Sequence, residues 1–325
     1  MTTTATLTGF QPTGHLHLGN LLGAVRPIVA AQRRTRPVVF LADLHAMTMP
    51  HDPAELRQFT LEVATLLLAA GVDPDRSLFY AQSQVPEHTE LHYLLECATR
   101  YGEARRMIQF KERSAGRGTR LSLLTYPVLM AADILLHGTA EVPVGDDQRQ
   151  HVELARDVAT RFNTHYGDTF VVPRAVKPEV AARVMDLSDP RAKMSKSRSA
   201  QGTLFLLDPP EVIERKVMRA VTDSGDTVGY EPATRPGVAN LLEILAGCTD
   251  GSPATLASGF ASYGALKHAV AEAVIGTVRP IQVRFAELSR DPGYVRRVLA
   301  DGAERAREVT AETVHRARRA LGLIA

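Results

Sequence analysis

The sequence predicts an α/β fold: a doubly wound parallel sheet interrupted by a helical insertion and followed by a C-terminal α-helical domain. Three observations lead there. Short apolar runs bounded by turn residues (ATLTGF, PVVFLAD and SLFYAQS) alternate with stretches at helical spacing. From about Glu87 to Gly138 the spacing turns mainly helical, which reads as an insertion between two parts of the sheet. Beyond TLFLLD the chain is a long helical tail, with breaks expected at Pro236, Gly237, Pro253, Pro280 and Pro292.

The elements follow in order. ATLTGF is the first strand, and FQPTGHLHLGNLLGAV turns from it into a helix expected to begin at Asn20. PVVFLAD is the second strand. HDPAELRQFTLEVATLLLAAGV is a helix with a marked start: Asp52 as cap, Pro53 at the first position and Glu55 where a capping box places it. SLFYAQS is the third strand, and the βαβαβ order favours right-handed crossovers between parallel strands. After the insertion, EVPVG reads as a strand and DQRQHVELARDVATRFN as a helix. Such sheets hold ligands at the carboxyl ends of their strands, so chemistry is expected just after them.

Composition narrows the class. With 325 residues, 45% hydrophobic and 23% charged, the chain has apolar surface for about two domains. The divisions are expected near residues 190 and 290, with the last segment, 291–325, returning toward the first domain. A formal charge of +2 does not by itself mark a nucleic-acid binder. Between Arg100 and Arg120, however, seven basic residues face only Glu103 and Glu112, a pattern that suits either a phosphate or RNA footprint or a solvated helix face. Cys97 and Cys248 are too far apart to suggest a zinc site or a disulfide framework, and a reducing cytosol fits them. MTTTATLTGF has neither the basic nor the apolar region of a signal peptide, and no apolar run approaches the roughly 20 residues of a membrane helix.

Two short stretches carry the chemistry. In the first strand-to-helix turn, Gly14 and Gly19 permit close backbone approach, His15 and His17 offer hydrogen bonds, and the free N–H groups of a helix start attract anions. The spacing matches neither G-x-G-x-x-G nor a P-loop, so the turn is either a phosphate site of another kind or a tight connection. RAKMSKSRSA, residues 191–200, gathers Arg191, Lys193, Lys196 and Arg198 with no acid among them. For a charge run alone, a solvated basic surface turn is the better explanation, and a polyanion the sharper one.

Taken together, His17-Leu18-Gly19-Asn20 resembles the HIGH signature of class I aminoacyl-tRNA synthetases in its HxGN form, and Lys193-Met194-Ser195-Lys196-Ser197 matches their KMSKS loop at every position. LADLHAMT, MIQFKERSAG, LLTYPVLMAADILL, PVGDDQRQHVELARDVATRFN and AVTDSGDT extend the likeness over nearly the whole chain, which is similar to the bacterial tryptophanyl-tRNA synthetases. The resemblance implies a Rossmann-like class I synthetase fold. It implies activation of L-tryptophan by ATP, with Mg²⁺ brought by the nucleotide, and transfer to tRNA(Trp) in a cytoplasmic homodimer. The helical domain would read the anticodon, with Arg105, Arg106 and Arg117 near tRNA.

It also implies roles for particular residues. His17, Asn20, Lys193, Ser195 and Lys196 would act on the phosphates during the reaction. Gln11, Pro12, Thr13, Gly19, Met194 and Ser197 would line the same mouth, Val184 would pack on adenine, and Gly145, Asp146 and Asp147 would contact ATP, with Asp147 suited to the ribose. Without the resemblance, Asp146 and Asp147 read equally as partners of a helix dipole; a metal site lacks supporting ligands.

Asp133 sits in an otherwise apolar helical run, where a buried carboxylate needs a partner. An arginine or an exposed helix face would satisfy it; the resemblance makes it the acceptor of the indole N–H. Met130, Val142 and Val144 would wall the pocket, Leu7 would lie under the indole, and His45, Gln109, Tyr126 and Gln148 would be its polar fixings. Four positions depart from the family pattern: Leu7 for an aromatic, Leu21 for a tyrosine, Arg113 for a lysine and Arg198 for an acid. They bear on affinity and analogue tolerance, leaving the reaction class intact. Tyrosyl-tRNA synthetase, a nucleotidylyltransferase with an HxGH turn, and a silent paralogue that binds tryptophan or RNA are the rival readings.

Overall fold

The computed structural model describes residues 6–108, 119–176, 184–195, 201–225 and 227–324, with the side chains of Asp146 and Asp147 left out. The three apolar runs form one parallel sheet: β1 (Leu7–Phe10), β2 (Val38–Leu41) and β3 (Leu78–Ala81), in the order β1-β2-β3. Leu7 lies opposite Val38, and Val38 opposite Leu78. Every residue of β2 and β3 is buried, which is why both read as continuous apolar runs rather than as alternation. The Pro53–Ala69 helix starts as its sequence signals say. The Asp52 carboxylate accepts the N–H groups of Ala54 at 2.8 Å and Glu55 at 2.9 Å, and Pro53 occupies the first turn, where no N–H is needed.

Helices Glu87–Glu96, Tyr101–Arg105 and Ser122–Leu136 fill the described part of the interval between β3 and the next strand. β4 (Glu141–Pro143) then pairs in parallel with β5 (Arg174–Val176), on either side of the Asp146–Tyr166 helix. Among the described residues these two strands form their own sheet and do not join the ladder of β1. Both are only three residues long, and Pro143 has no N–H to donate. The apolar core is nevertheless shared, since Val142 packs in one cluster with Leu7, Val38 and Phe40.

The C-terminal part is helical: Pro210–Met218, Pro236–Thr249, Pro253–Ala257, Tyr263–Leu288 and Pro292–Ala320. Pro236, Pro253 and Pro292 open helices as anticipated. Gly237 and Pro280 do not break them. Gly237 is a close approach, because a Cβ there would lie 2.2 Å from the Val221 carbonyl oxygen. Pro280 lies inside the Tyr263–Leu288 helix, which is held on both sides of it by buried Val274, Val278 and Ile281. That packing outweighs one lost backbone hydrogen bond.

The last helix lies along β3 so closely that a Cβ on Gly302 would come 1.8 Å from the Phe79 carbonyl oxygen. Arg305 donates to the Pro74 carbonyl at 2.8 Å and Arg307 to that of Gln84 at 2.6 Å, fixing the helix across the end of the strand. No described helix is long and apolar enough to cross a membrane.

Candidate active site

Beyond β1 the chain turns through residues 11–17. Gly14 sits at φ +131°, a conformation that disfavours any side chain, and Pro12 is buried while Gln11 and Thr13 stand exposed at the rim. The helix begins at Leu18, two residues earlier than the sequence suggested. His17 is its extended cap residue, and Asn20, inside the first turn, reaches back so that its Oδ1 accepts the His17 N–H at 3.1 Å. The next turn, Leu21–Val25, is π-helical, a widening often found at functional sites. A Cβ on Gly19 would stand 3.1 Å from the His17 ring and 3.6 Å from Val184 Cβ, so the missing side chain lets the turn and Val184 close on each other. His15 faces elsewhere: its Nδ1 is 2.5 Å from Glu62 Oε1 and its ring edge meets Phe59 and Phe205.

The basic loop is tied into the same unit. Met185 bridges Lys193 in antiparallel fashion, Met194 N–H donates to Val184 O at 3.1 Å, and Asp186 N–H to Ala192 O at 2.9 Å. This short hairpin alternates as a strand should: Lys193 is exposed and Met194 is buried in the cluster that holds Leu16, Leu18 and Leu204. The Thr203 hydroxyl donates to the Ser195 carbonyl at 3.1 Å. Residues just downstream then pair with the first turn, with Leu18 N–H to Leu204 O at 2.8 Å and Leu206 N–H to Leu16 O at 3.0 Å. Asn240 holds the other side of the hairpin through both backbone groups of Met185, at 2.8 and 3.0 Å. Lys196, Ser197 and Arg198 lie outside the described residues, as do Gln109, Arg113 and Arg117.

Asp133 is buried, and its partners among the described residues are two histidines and an amide rather than an arginine. His45 Nε2 donates to its Oδ2 at 2.8 Å, while Gln82 Nε2 and His88 Nδ1 both donate to its Oδ1 at 2.7 Å. Burial alone would push its pKa up; the hydrogen bonds from His45 and His88 outweigh that and hold it well below the usual carboxylate range. A carboxylate offers about four acceptor positions, and among the described residues the one left over is on Oδ2. Several of the residues nominated from sequence are in contact with one another or share one part of the core. The His45 ring stands edge-on to Tyr126 at 6.2 Å, and Leu7 and Val142 share one apolar cluster with partly buried Met130 and Val144 packed against it. Gly145 is the cap of the Asp146–Tyr166 helix and accepts the N–H of partly buried Gln148 at 3.0 Å.

Sequence reasoning missed Gln82, His88 and His151, whose Nε2 is 2.7 Å from the Tyr126 hydroxyl. His88 had a legible signal. It occupies the same helical stripe as buried Leu91 and Leu95, the type of ionisable intruder that drew attention to Asp133.

Acid should loosen this region. Burial is the main cause that pushes His137, at the end of the Asp133 helix, down to about 3 from 6.5. Between those values the unfolded chain holds a proton that the folded protein does not, so stability rises with pH. The contribution is complete above about 6.5 and is lost as pH falls toward about 3. Asp133 acts in the same sense at lower pH, below its ordinary 3.8. Urea midpoints measured across this range should fall with acidification, and the slope should flatten in His137→Leu.

The family described as tRNA synthetases class I (W and Y) matches residues 2–279. "Tryptophan--tRNA ligase 1" of Streptomyces coelicolor is 58% identical over 328 residues, covering 99% of this chain and 98% of its own. The crystal structure of tryptophanyl-tRNA synthetase from Mycoplasma pneumoniae superposes with a TM-score of 0.91 at 36% identity, over 99% of this chain and 98% of that one. That from Campylobacter jejuni, complexed with ADP and tryptophan, gives 0.83 at 34% identity, over 98% and 100%. The chain whose first turn and basic hairpin are laced together by backbone hydrogen bonds thus belongs to the class I tRNA synthetases for tryptophan and tyrosine.

Proposed function

We infer that the chain is a tryptophan–tRNA ligase, an enzyme that joins L-tryptophan to ATP, releases pyrophosphate, and passes the tryptophanyl group to tRNA(Trp). The observation that carries the choice of amino acid is Asp133: a buried, charged acceptor with one position unused among the described residues, next to an apolar cluster. An indole N–H suits that position. Tyrosine would present a hydroxyl in a different place, and phenylalanine no donor at all.

In the reaction a tryptophan carboxylate oxygen bonds to the α-phosphorus as the bond to pyrophosphate breaks, and negative charge grows on the leaving group. Little covalent chemistry falls to the protein; its work is positioning and charge stabilisation. His17 and Asn20 would cradle phosphate oxygens from the first turn, with Gln11, Pro12, Thr13 and Gly19 about the mouth. Lys193 and Ser195, with Met194 as their buried anchor, would meet the β- and γ-phosphates from the hairpin, joined by Lys196 and Ser197. Val184, placed against Gly19, is suited to the adenine, Gly145 to Asp147 to the ribose, and Gln148 to the amino-acid end. Magnesium would enter on the ATP phosphates. Lys193, Asn20 and the helix start offer hydrogen bonds to phosphate, and no group of three metal-ligating side chains converges among the described residues.

We divide the chain at about residue 190 and 290 into a catalytic unit, the KMSKS loop with an anticodon-reading helical unit, and a final helix packed back on β3. A homodimer is supported by exposed Tyr93, Tyr101 and Leu121 on the helical insertion. Arg120 extends that face by binding the carbonyls of Met47 at 3.0 Å and Met49 at 3.2 Å, both of whose side chains are exposed. Exposed Arg105 and Arg106 suit tRNA, and a cytoplasmic site follows from the need for tRNA and ATP. Pyrophosphate exchange into ATP, measured with each proteinogenic amino acid in turn, is expected only with tryptophan. Exchange with tyrosine would reassign the substrate, and none with any amino acid would leave a binding protein.

A further inference from the structure

Behind Asp133 a line of side chains leads away from the pocket, and the reaction as described uses none of it. His88 Nδ1 lies 2.7 Å from Asp133 Oδ1, its Nε2 lies 3.0 Å from the Tyr80 hydroxyl, and that hydroxyl lies 2.9 Å from His137 Nε2. Tyr80 on β3 and His88 on the Glu87–Glu96 helix are wholly buried. His137 directly follows the Ser122–Leu136 helix that carries Asp133; the residue is partly exposed at the helix end, but its ring Nδ1 is enclosed, without a partner among the described residues.

The protons in this line have one economical arrangement. A carboxylate only accepts, so His88 carries a proton on Nδ1. Tyr80 has a single proton for two imidazole nitrogens. Given to His137, it would force a second proton onto His88, making a buried cation, and would put the His137 proton on the enclosed Nδ1. Given to His88, it lets His137 Nε2–H donate to the phenol oxygen and leaves only a bare lone pair at the enclosed nitrogen. Orphaned buried N–H groups are rarer than idle acceptors, and uncompensated buried charge is rarer still. The line therefore runs from His137 to Tyr80 to His88 to Asp133. Burial also keeps both ends of the Tyr80 contact uncharged, pushing His137 down to about 3 and the phenol well above its ordinary value.

We propose that Tyr80 and His137 are positioning residues for amino-acid selection: they hold the His88 ring in the orientation that aims Nδ1–H at Asp133, and so fix the carboxylate that takes the indole N–H. This rests on the reading of Asp133 as that acceptor. The carboxylate keeps the proton on His88 Nδ1, and the Tyr80 hydroxyl holds the far side of the ring at Nε2. Without that hydroxyl the ring is held at one end only and can turn about the Asp133 contact, so the carboxylate loses a fixed donor and its own orientation.

Tyr80→Phe removes that hydroxyl alone. The tryptophan KM in pyrophosphate exchange should rise about tenfold, the worth of one charge-assisted hydrogen bond, while kcat at saturating tryptophan and the ATP KM stay within about twofold. The KM for the tryptophan analogue with sulfur in place of the ring N–H should not change. His137→Gln, which keeps an N–H for Tyr80, should retain the wild-type tryptophan KM, and His137→Leu should not. Because position 137 is partly exposed, that pair carries the same comparison if Tyr80→Phe fails to fold. An unchanged tryptophan KM in Tyr80→Phe, or an equal rise for the analogue, overturns the proposal. Asp133→Ala, which leaves no acceptor at that position, separates it from the reading beneath. If that variant still discriminates tryptophan from the analogue, the acceptor reading fails and the proposal with it; if it loses discrimination while Tyr80→Phe keeps it, only the positioning role fails.

Discussion

Asp133→Ala is expected to lose tryptophan activation and to cost the fold about 3–5 kcal/mol, the range for removing one partner of a buried charged contact. The size follows from what is left behind. His45, Gln82 and His88 all donate to this carboxylate, and truncation leaves three enclosed donors with no acceptor. Each costs about 1–3 kcal/mol when unsatisfied, offset in part by water entering the vacated space. Selectivity should change with stability. A site built around a hydrogen bond rejects substrates that lack the donor, so the wild type should discriminate strongly against the sulfur analogue and the variant much less. Adenylate formation by both proteins with both substrates, together with urea denaturation, checks this. An equal loss for tryptophan and analogue would make Asp133 a structural residue and send the search for specificity elsewhere.

Lys193→Ala should slow adenylate formation by about 10²–10³, or 2.7–4 kcal/mol, with little change in ATP affinity or in thermal midpoint. The hairpin separates the two roles. Met194 supplies the packing and Lys193 projects into solvent, so truncating the lysine removes charge without opening the core. That charge matters most as pyrophosphate departs, hence the effect on rate rather than on binding. Lys193→Arg should restore part of the activity, because the charge returns in a planar group of different reach. Single-turnover kinetics tests it; an unchanged rate with weakened tRNA affinity would turn the loop into an RNA contact. The same loss is expected for Lys196, which lies outside the described residues.

How much of this was readable beforehand depends on whether the signal is local. The three strands, the Asp52 cap and the helices opened by Pro236, Pro253 and Pro292 were legible because each is fixed by neighbours in sequence. Pro280 and Gly237 misled for the opposite reason: distant packing overrides the proline, and the glycine answers to a carbonyl on another segment. The separation of β4 and β5 from the first sheet turns on ladder geometry that no run of residue types encodes. Within the site, the two motifs were visible, but the backbone bonds that lace Leu16 and Leu18 to Leu204 and Leu206 were not. Asp133 stood out as a carboxylate in apolar company. Its donors come from three separate segments, and only folding reveals that histidines and an amide take the place an arginine was free to fill.

The contact between Gly302 and the Phe79 carbonyl has a consequence for how the enzyme comes into being. β3, which ends one residue before Gln82, is covered by a helix encoded more than two hundred residues later. During synthesis at 5–20 residues per second, that strand must wait about ten seconds or longer for its cover. The amino-acid pocket therefore cannot be finished as the catalytic half leaves the ribosome. A nascent chain presents an apolar strand to chaperones and to other nascent chains throughout the interval, and tryptophan can stabilise the enzyme only after translation has nearly ended.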